Sequence, residues 1–149
     1  MLRQLFFGGA ISAANIAIHA VIMTVVVQVA RRAHANSNVR SSAYLVLIMI
    51  PTVLVLMAAH TLEVIVWATA YFILGVVSEG GDRFYFAFVN YTTLGYGDII
   101  PVERWRLLGP ITAMNGVLLF GWSTAVIYDV LRNIARVIPV ERGAGSDKQ

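Results

Sequence analysis

The chain has 149 residues, of which 58% are hydrophobic and 13% are charged, and its mean hydropathy is +0.74. Soluble domains carry about 25% charged residues and disordered chains have low hydrophobicity, so both classes are excluded. The chain has no cysteine, which excludes disulfides and thiolate metal sites. The net charge of +3 does not indicate nucleic-acid binding, because the arginines lie in short polar stretches between long uncharged ones. The composition predicts a protein of the lipid bilayer.

The first predicted membrane crossing covers residues 8–30, which carry no charge. At 1.5 Å per residue this segment is long enough to cross about 30 Å of hydrocarbon as a helix. Residues 33–42 are polar and are predicted to form a connection. Because basic connections stay in the cytoplasm, Arg31, Arg32 and Arg40 are interpreted as cytoplasmic anchors.

The second predicted crossing covers residues 43–77, an apolar stretch too long for one perpendicular helix. We therefore expect a tilted helix, with Pro51 ending or kinking an earlier interfacial segment. The glycine pair at 80–81 is expected to break the helix. Asp82 is then the predicted N-cap of a short amphipathic helix over 83–91, which cannot span the membrane.

The last predicted crossing covers residues 107–128, and a polar tail follows it. The sequence thus predicts an all-α membrane protein with three transmembrane helices and one short re-entrant helix. Its expected parts are an extra helix with its basic loop (1–42), a pore module (43–130) and a partly disordered cytoplasmic tail (131–149). No soluble regulatory domain is expected.

The segment after the short helix carries two glycines that flank a tyrosine. Gly95 and Gly97 allow alternate residues to adopt conformations closed to other residue types, so that successive carbonyls can point the same way. A column of such carbonyls, repeated around a symmetry axis, replaces the water shell of a cation. Thr93 adds a hydroxyl at the cytoplasmic mouth, Tyr96 is expected to brace the wall against the short helix, and Asp98 holds negative charge at the outer mouth.

This string resembles the selectivity filter of potassium channels, whose usual sequence is T-V-G-Y-G-D. The matching residues are Thr93, Leu94, Gly95, Tyr96, Gly97 and Asp98. Leucine replaces the usual valine, but the backbone supplies the carbonyl in either case. The whole chain resembles the small bacterial pore-loop channels, with one extra helix before the pore module.

The resemblance implies a potassium-selective channel in the cell (inner) membrane, with no catalytic residue and no cofactor besides the permeant ion. Because each chain supplies one pore loop, four copies are expected to form a homotetramer. A filter that faces outward places the N-terminus outside and the C-terminus in the cytoplasm. The implied K+ ligands are Thr93, Leu94, Gly95 and Tyr96, and the implied filter support comes from Tyr85, Phe86, Thr92 and Trp105. Trp105 is also the best candidate for the outer aromatic belt.

In related channels a carboxylate behind the filter pairs with the aspartate that matches Asp98. The corresponding residue here is Val89, so support for the filter is expected from Asn90, Tyr91 and Tyr96 instead.

Several residues within the crossings are candidates for gating: Asn115, Gly116, Gly121, His60 and Glu63. Asn115 either faces the inner cavity or contacts a neighbouring helix, and each glycine is either a packing site or a hinge. His60 and Glu63 share a helix face that His19, Ser123 or Thr124 could meet. They form either a hydrogen-bonded lock between the extra helix and the pore module or a pH-sensitive gate.

Two other functions were weighed against potassium conduction. A weakly selective cation channel of the same fold would lack some filter sites, but such channels usually depart at the position of Tyr96. An intramembrane metalloenzyme could use His19, His60 and Glu63. However, the spacing of His60 and Glu63 is not that of an H-E-x-x-H motif.

Overall fold

The computed structural model describes residues 1–35 and 42–135, and within these ranges the chain is helical and has no strand. The helices are α1 (Leu2–Ala35), α2 (Ser42–Leu74), α3 (Arg83–Tyr91) and α4 (Leu108–Ala135), with a 3-10 turn at Glu103–Trp105 before α4. α1, α2 and α4 are long and apolar enough to cross a membrane. The predicted all-α membrane fold is confirmed.

The first and last helices are longer than the predicted crossings. α1 begins at Leu2 and includes residues 33–35, so the connection predicted for 33–42 is shorter. α4 continues to Ala135, past the crossing predicted for 107–128, and Nη2 of the exposed Arg31 lies 3.8 Å from Oδ2 of Asp129 in that helix. Residues 36–41 and 136–149 lie outside the described ranges, as do Arg40 and the disorder predicted for the tail.

α2 is one continuous helix through Pro51, so the expectation that Pro51 ends an earlier segment is wrong. A membrane helix tolerates an interior proline when neighbouring groups satisfy the freed carbonyl. The helix ends at Leu74, before the predicted glycine pair, because Gly75 adopts a left-handed φ of 61°. The amides of Gly75 and Val76 then donate to the carbonyls of Phe72 and Tyr71 (3.3 and 3.0 Å), which is the Schellman arrangement.

α1 packs against α2 and α4 through one stripe of buried residues. Successive members of this stripe are three, four or seven positions apart. A small residue opens this stripe: a Cβ added at Gly8 would lie 2.7 Å from Cδ1 of Ile111, so α1 and α4 cross closely there. The buried members are Gly8, Asn15, His19, Met23 and Val26. Helical periodicity places them on one face, and the stripe fixes the rotation of α1 against the other helices.

The core consists of two apolar clusters with polar residues between them. One joins the end of α2 to α3 and the start of α4, and includes Trp67, Tyr71, Tyr91 and Trp105. The other joins the later part of α1 to the start of α2 and the end of α4, and includes Met23, Leu56 and Val126. Between the clusters lie five fully or nearly fully buried polar side chains: Asn15, His19, Glu63, Asn115 and Ser123.

Candidate functional site: the pore loop and its buried support

α3 begins where the sequence predicts it, because Asp82 caps its first turn. The Asp82 carboxylate accepts hydrogen bonds from the amides of Phe84 and Tyr85 at 2.9 and 3.0 Å. The helix ends at Tyr91, two residues before Thr93. The carboxyl end of a helix carries partial negative charge, so α3 presents a cation-attracting end to the start of the loop.

The loop has the backbone that alternating glycines predict, and the pattern extends one residue further. Thr93, Gly95 and Gly97 have positive φ angles of 61°, 58° and 77°. Thr93 is the sole non-glycine residue in this conformation among the described residues. Because a left-handed φ costs energy in a residue with a side chain, something must hold Thr93 in place.

Hydrogen bonds from the loop to α3 supply that restraint. The amide of Thr93 donates to the carbonyl of Asn90 at 3.0 Å. The amides of Leu94 and Gly95 both donate to the carbonyl of Val89, at 2.9 and 3.4 Å. Three consecutive amides are therefore engaged by the last turn of α3, and the start of the loop is fixed to the end of this helix.

At the other end of the loop, Asp98 acts on a tyrosine of α3. Its carboxylate interacts with the Tyr85 hydroxyl and raises the pKa of Tyr85. Because Val89 occupies the position of the carboxylate in related channels, support for the filter was predicted to come from Asn90, Tyr91 and Tyr96. Tyr96 is 67% exposed and does not brace the wall within one chain, whereas Asn90 donates to the carbonyl of Phe86.

The remaining residues assigned to filter support occupy different positions. Phe86 is buried, and its ring centroid lies 5.4 Å from that of Tyr71. The Thr92 hydroxyl donates back to the carbonyl of Phe88. Trp105 is only 2% exposed and packs edge-on against Phe7 of α1, so its assignment to an outer aromatic belt is wrong. Its ring belongs to the core beneath α3.

The candidate residues on α4 separate into packing positions and one open position. The Asn115 side-chain oxygen accepts hydrogen bonds from Asn15 of α1 and Trp67 of α2 (3.2 and 3.0 Å), which places it at a helix contact. A Cβ at Gly116 would overlap the carbonyl oxygen of Tyr91, so this glycine lets α4 approach α3. No described atom lies within 4 Å of a Cβ at Gly121.

A buried polar cluster lies behind the loop and joins all four helices. Glu63 of α2 is fully buried and is flanked by two histidines: Nδ1 of His19 lies 2.7 Å and Nδ1 of His60 lies 3.0 Å from its carboxylate oxygens. The Tyr91 hydroxyl donates to the same carboxylate. Nε2 of His60 lies 2.9 Å and Nε2 of His19 lies 3.4 Å from the Ser123 hydroxyl of α4.

The predicted face shared by His60 and Glu63 is therefore real, and of the proposed partners the structure brings in His19 and Ser123. Thr124 instead donates to the carbonyl of Phe120. The sequence alone did not predict that Tyr91 belongs to this cluster. The feature that indicates it is the position of Tyr91 at the carboxyl end of α3, from which a tyrosine side chain can reach a neighbouring helix.

His19, His60 and Glu63 also lie close enough to hold a metal ion, since one donor atom from each falls within 4.8 Å of the others. Sequence spacing alone did not show this arrangement, because His19 is on a different helix. In the structure their facing atoms hydrogen-bond to one another, and each group is satisfied within the cluster.

A protein-family model described as "Ion channel" matches residues 59–133, which include α3, the loop, α4 and the later part of α2. The match covers half of the chain. The chain belongs to this ion channel family. Ion conduction by a membrane protein is thus established at the level of the family, and the filter string lies within the matched region. No curated protein and no solved structure matches the chain.

The ion channel family match also bears on the alternatives weighed from the sequence. It supports a transport protein of the bilayer and points away from an enzyme. The extra helix α1 precedes the matched region and is joined to it by the contacts of Asn15 and His19. α1 is therefore packed onto the channel domain along its length.

Proposed function

We propose that this ion channel conducts potassium selectively, with K+ coordinated by backbone carbonyls of Thr93, Leu94, Gly95 and Tyr96. The observation that carries the proposal is the left-handed φ at alternate residues of the loop, with its first amides engaged by α3. Amides that are bound on the α3 side leave the carbonyls free for an ion on the opposite side. A column of carbonyl oxygens is the group that replaces the hydration shell of K+.

The exposure of the loop supports assembly around an axis. Residues 93–98 are exposed in a single chain, although the loop lies between two membrane-spanning helices. Irregular backbone is tolerated at this depth only against protein or water, so the loop needs further copies around it. We propose a homotetramer in the cell membrane, with the loop toward the outside and the C-terminus in the cytoplasm.

The test of function is a reversal potential measured on protein reconstituted in planar bilayers, with potassium on one side and sodium on the other. A selective channel reverses far from zero, and Gly95→Ala is expected to abolish or scramble conduction because a Cβ penalises its φ of 58°. Gly9→Ala is the matched control, since no atom lies within 4 Å of the added Cβ in α1. A wild-type reversal potential near zero would assign the protein to the weakly selective cation channels.

Assembly is tested separately by mass measurement of the purified protein in detergent. Four protomers per particle are expected. A conducting monomer or dimer would contradict a pore built from one loop per chain.

A further inference from the structure

We infer that Glu63 and Tyr91 act as positioning residues for the selectivity filter: the buried cluster holds the carboxyl end of α3 at the depth and rotation that the loop requires. This inference rests on the proposed potassium selectivity. It assigns a role to a set of side chains that do not touch the ion, and it gives α1 a function in ion selection.

Tyr91 lies where α3 meets the loop. It is the last residue of α3, is fully buried, and precedes Thr93 by two residues. Its neighbours Val89 and Asn90 provide the carbonyls that hold the loop amides. A displacement of Tyr91 therefore moves the acceptors that keep Thr93 in its left-handed conformation.

Two helices, α2 and α4, hold Tyr91 from different directions. Its hydroxyl donates to Glu63 of α2, and Nδ1 of His60 lies 2.9 Å from the hydroxyl oxygen. Its backbone carbonyl packs against Gly116 of α4. Its ring meets Phe120 edge-on at a centroid distance of 5.3 Å. The carboxyl end of α3 thus has polar restraints on one side and a backbone contact on the other.

The buried polar cluster forms a complete hydrogen-bonded unit. The Glu63 carboxylate only accepts, so Tyr91, His19 and His60 each direct a hydrogen toward it. The Ser123 hydroxyl has one hydrogen and faces two imidazole nitrogens. One imidazole nitrogen must therefore donate to Ser123. This count requires that one of the two imidazoles carries a hydrogen on both of its ring nitrogens.

The hydrogen count also balances the charge of the cluster. One imidazole with a hydrogen on both nitrogens offsets the charge of the Glu63 carboxylate, and a neutral cluster is the condition for burying ionised groups within a membrane. The titratable groups that face Glu63 in the described part of the chain are His19, His60 and Tyr91, and α4 contributes the Ser123 hydroxyl. A closed, neutral network of this kind is rigid, because any displacement leaves a buried donor or acceptor unpaired.

The test is the reversal potential of Tyr91→Phe in potassium and sodium, with tetramer yield measured on the same preparation. This substitution retains the ring and removes only the hydroxyl. Loss of a buried hydrogen bond to a charged group is expected to lower the potassium-to-sodium permeability ratio about tenfold, a shift of about 59 mV. A residue that served assembly alone would change the yield and leave the reversal potential unaltered.

Tyr71→Phe is the matched control. Tyr71 is equally buried, and its hydroxyl bonds to Thr112 at 2.6 Å between α2 and α4 without reaching α3. It is expected to keep the wild-type reversal potential. Glu63→Gln is the second variant, since its amide oxygen still accepts from Tyr91 but the negative charge of the carboxylate is lost. Its expected shift is smaller than that of Tyr91→Phe.

The outcomes separate the two proposals. A wild type that does not select potassium refutes the proposed function, and the positioning role falls with it. A selective wild type with unshifted Tyr91→Phe and Glu63→Gln overturns the positioning role alone. If Tyr91→Phe yields no tetramer, Glu63→Gln decides: a shifted reversal potential supports the inference, and an unshifted one refutes it.

Discussion

Two glycines on α4 provide a matched test of how closely this helix packs against α3. Gly116 and Gly121 are five residues apart on the same helix. A Cβ at Gly116 would overlap the carbonyl oxygen of Tyr91 and lie 3.0 Å from its carbonyl carbon. At Gly121 it would meet no described atom within 4 Å. The same substitution to alanine therefore creates a backbone collision at one site and none at the other.

The expected difference in the free energy of unfolding between the two variants has two contributions. The first is shared by both variants and cancels, and the second applies to one of them. Alanine is favoured over glycine within a helix by about 0.8–1.0 kcal/mol, and this gain applies to both variants. Overpacking costs about 1–3 kcal/mol and applies only to Gly116→Ala, because α3 or α4 has to shift to accept the methyl group. We expect Gly116→Ala to be less stable than Gly121→Ala by about that amount.

Thermal unfolding in detergent, followed by tryptophan fluorescence, measures this difference. For a chain of this size each kcal/mol corresponds to about 2–4 °C in Tm. Gly121→Ala is expected to unfold at or above the wild-type temperature, and Gly116→Ala several degrees below it. Equal melting temperatures for the two variants, or a higher one for Gly116→Ala, would refute the close approach of α4 to Tyr91.

Three further predictions concern the end of the molecule that carries α3 and the loop. Asp82→Ala removes the cap of α3 and is expected to cost about 1 kcal/mol, seen as a lower Tm that Asp82→Asn largely restores; equal effects of both variants would contradict the cap. Because the pKa of Tyr85 is raised by Asp98, the stabilisation from this pair is present below the usual value of about 10 and is lost as pH rises through the raised value. A titration of phenolate absorbance, compared with Tyr85→Phe, should show this group ionising at higher pH than a free tyrosine, and ionisation at lower pH would be inconsistent with the raised pKa. Gln4→Leu removes the acceptor of the Leu107 amide (2.8 Å) and is expected to cost about 0.5–1.5 kcal/mol in thermal unfolding, whereas Gln4→Glu retains an acceptor and should cost less.

The helices of the fold could be predicted because their signals are local. Apolar length identified all three crossings, and the bounds of α3 follow from its capping aspartate and its short apolar face. The predicted helix ends were wrong where a rule for helices in soluble proteins does not hold in a membrane, and where an earlier glycine ends the helix. Proline usually ends helices in soluble proteins, but α2 continues through Pro51. α2 ends just before Gly75, whereas the glycine pair at 80–81 was the predicted end.

The site was predictable in its backbone and less so in its supports. Gly95 and Gly97 indicate the alternating conformation directly, whereas Thr93 joins them because hydrogen bonds to α3 impose its φ. Contacts between distant residues have no local signal. Glu63 and Tyr91 are 28 positions apart, and only packing of α2 against α3 brings them together. Trp105 shows the same limit, since an aromatic residue near a helix start does not reveal whether it faces lipid or core.

The two buried polar residues of α1 determine the order in which contacts form while the protein is synthesised. Asn15 and His19 lie one turn apart in the middle of α1, and their partners lie 44, 48 and 100 residues later in the chain. At about 5–20 residues per second, α1 is synthesised about 2–9 s before the first of these partners, Glu63. During that interval two polar side chains face an apolar environment without compensation. The pairing of α1 with α2 is therefore the first contact that gives Asn15 and His19 hydrogen-bond partners, and Asn115 on α4 completes the set a hundred residues after Asn15.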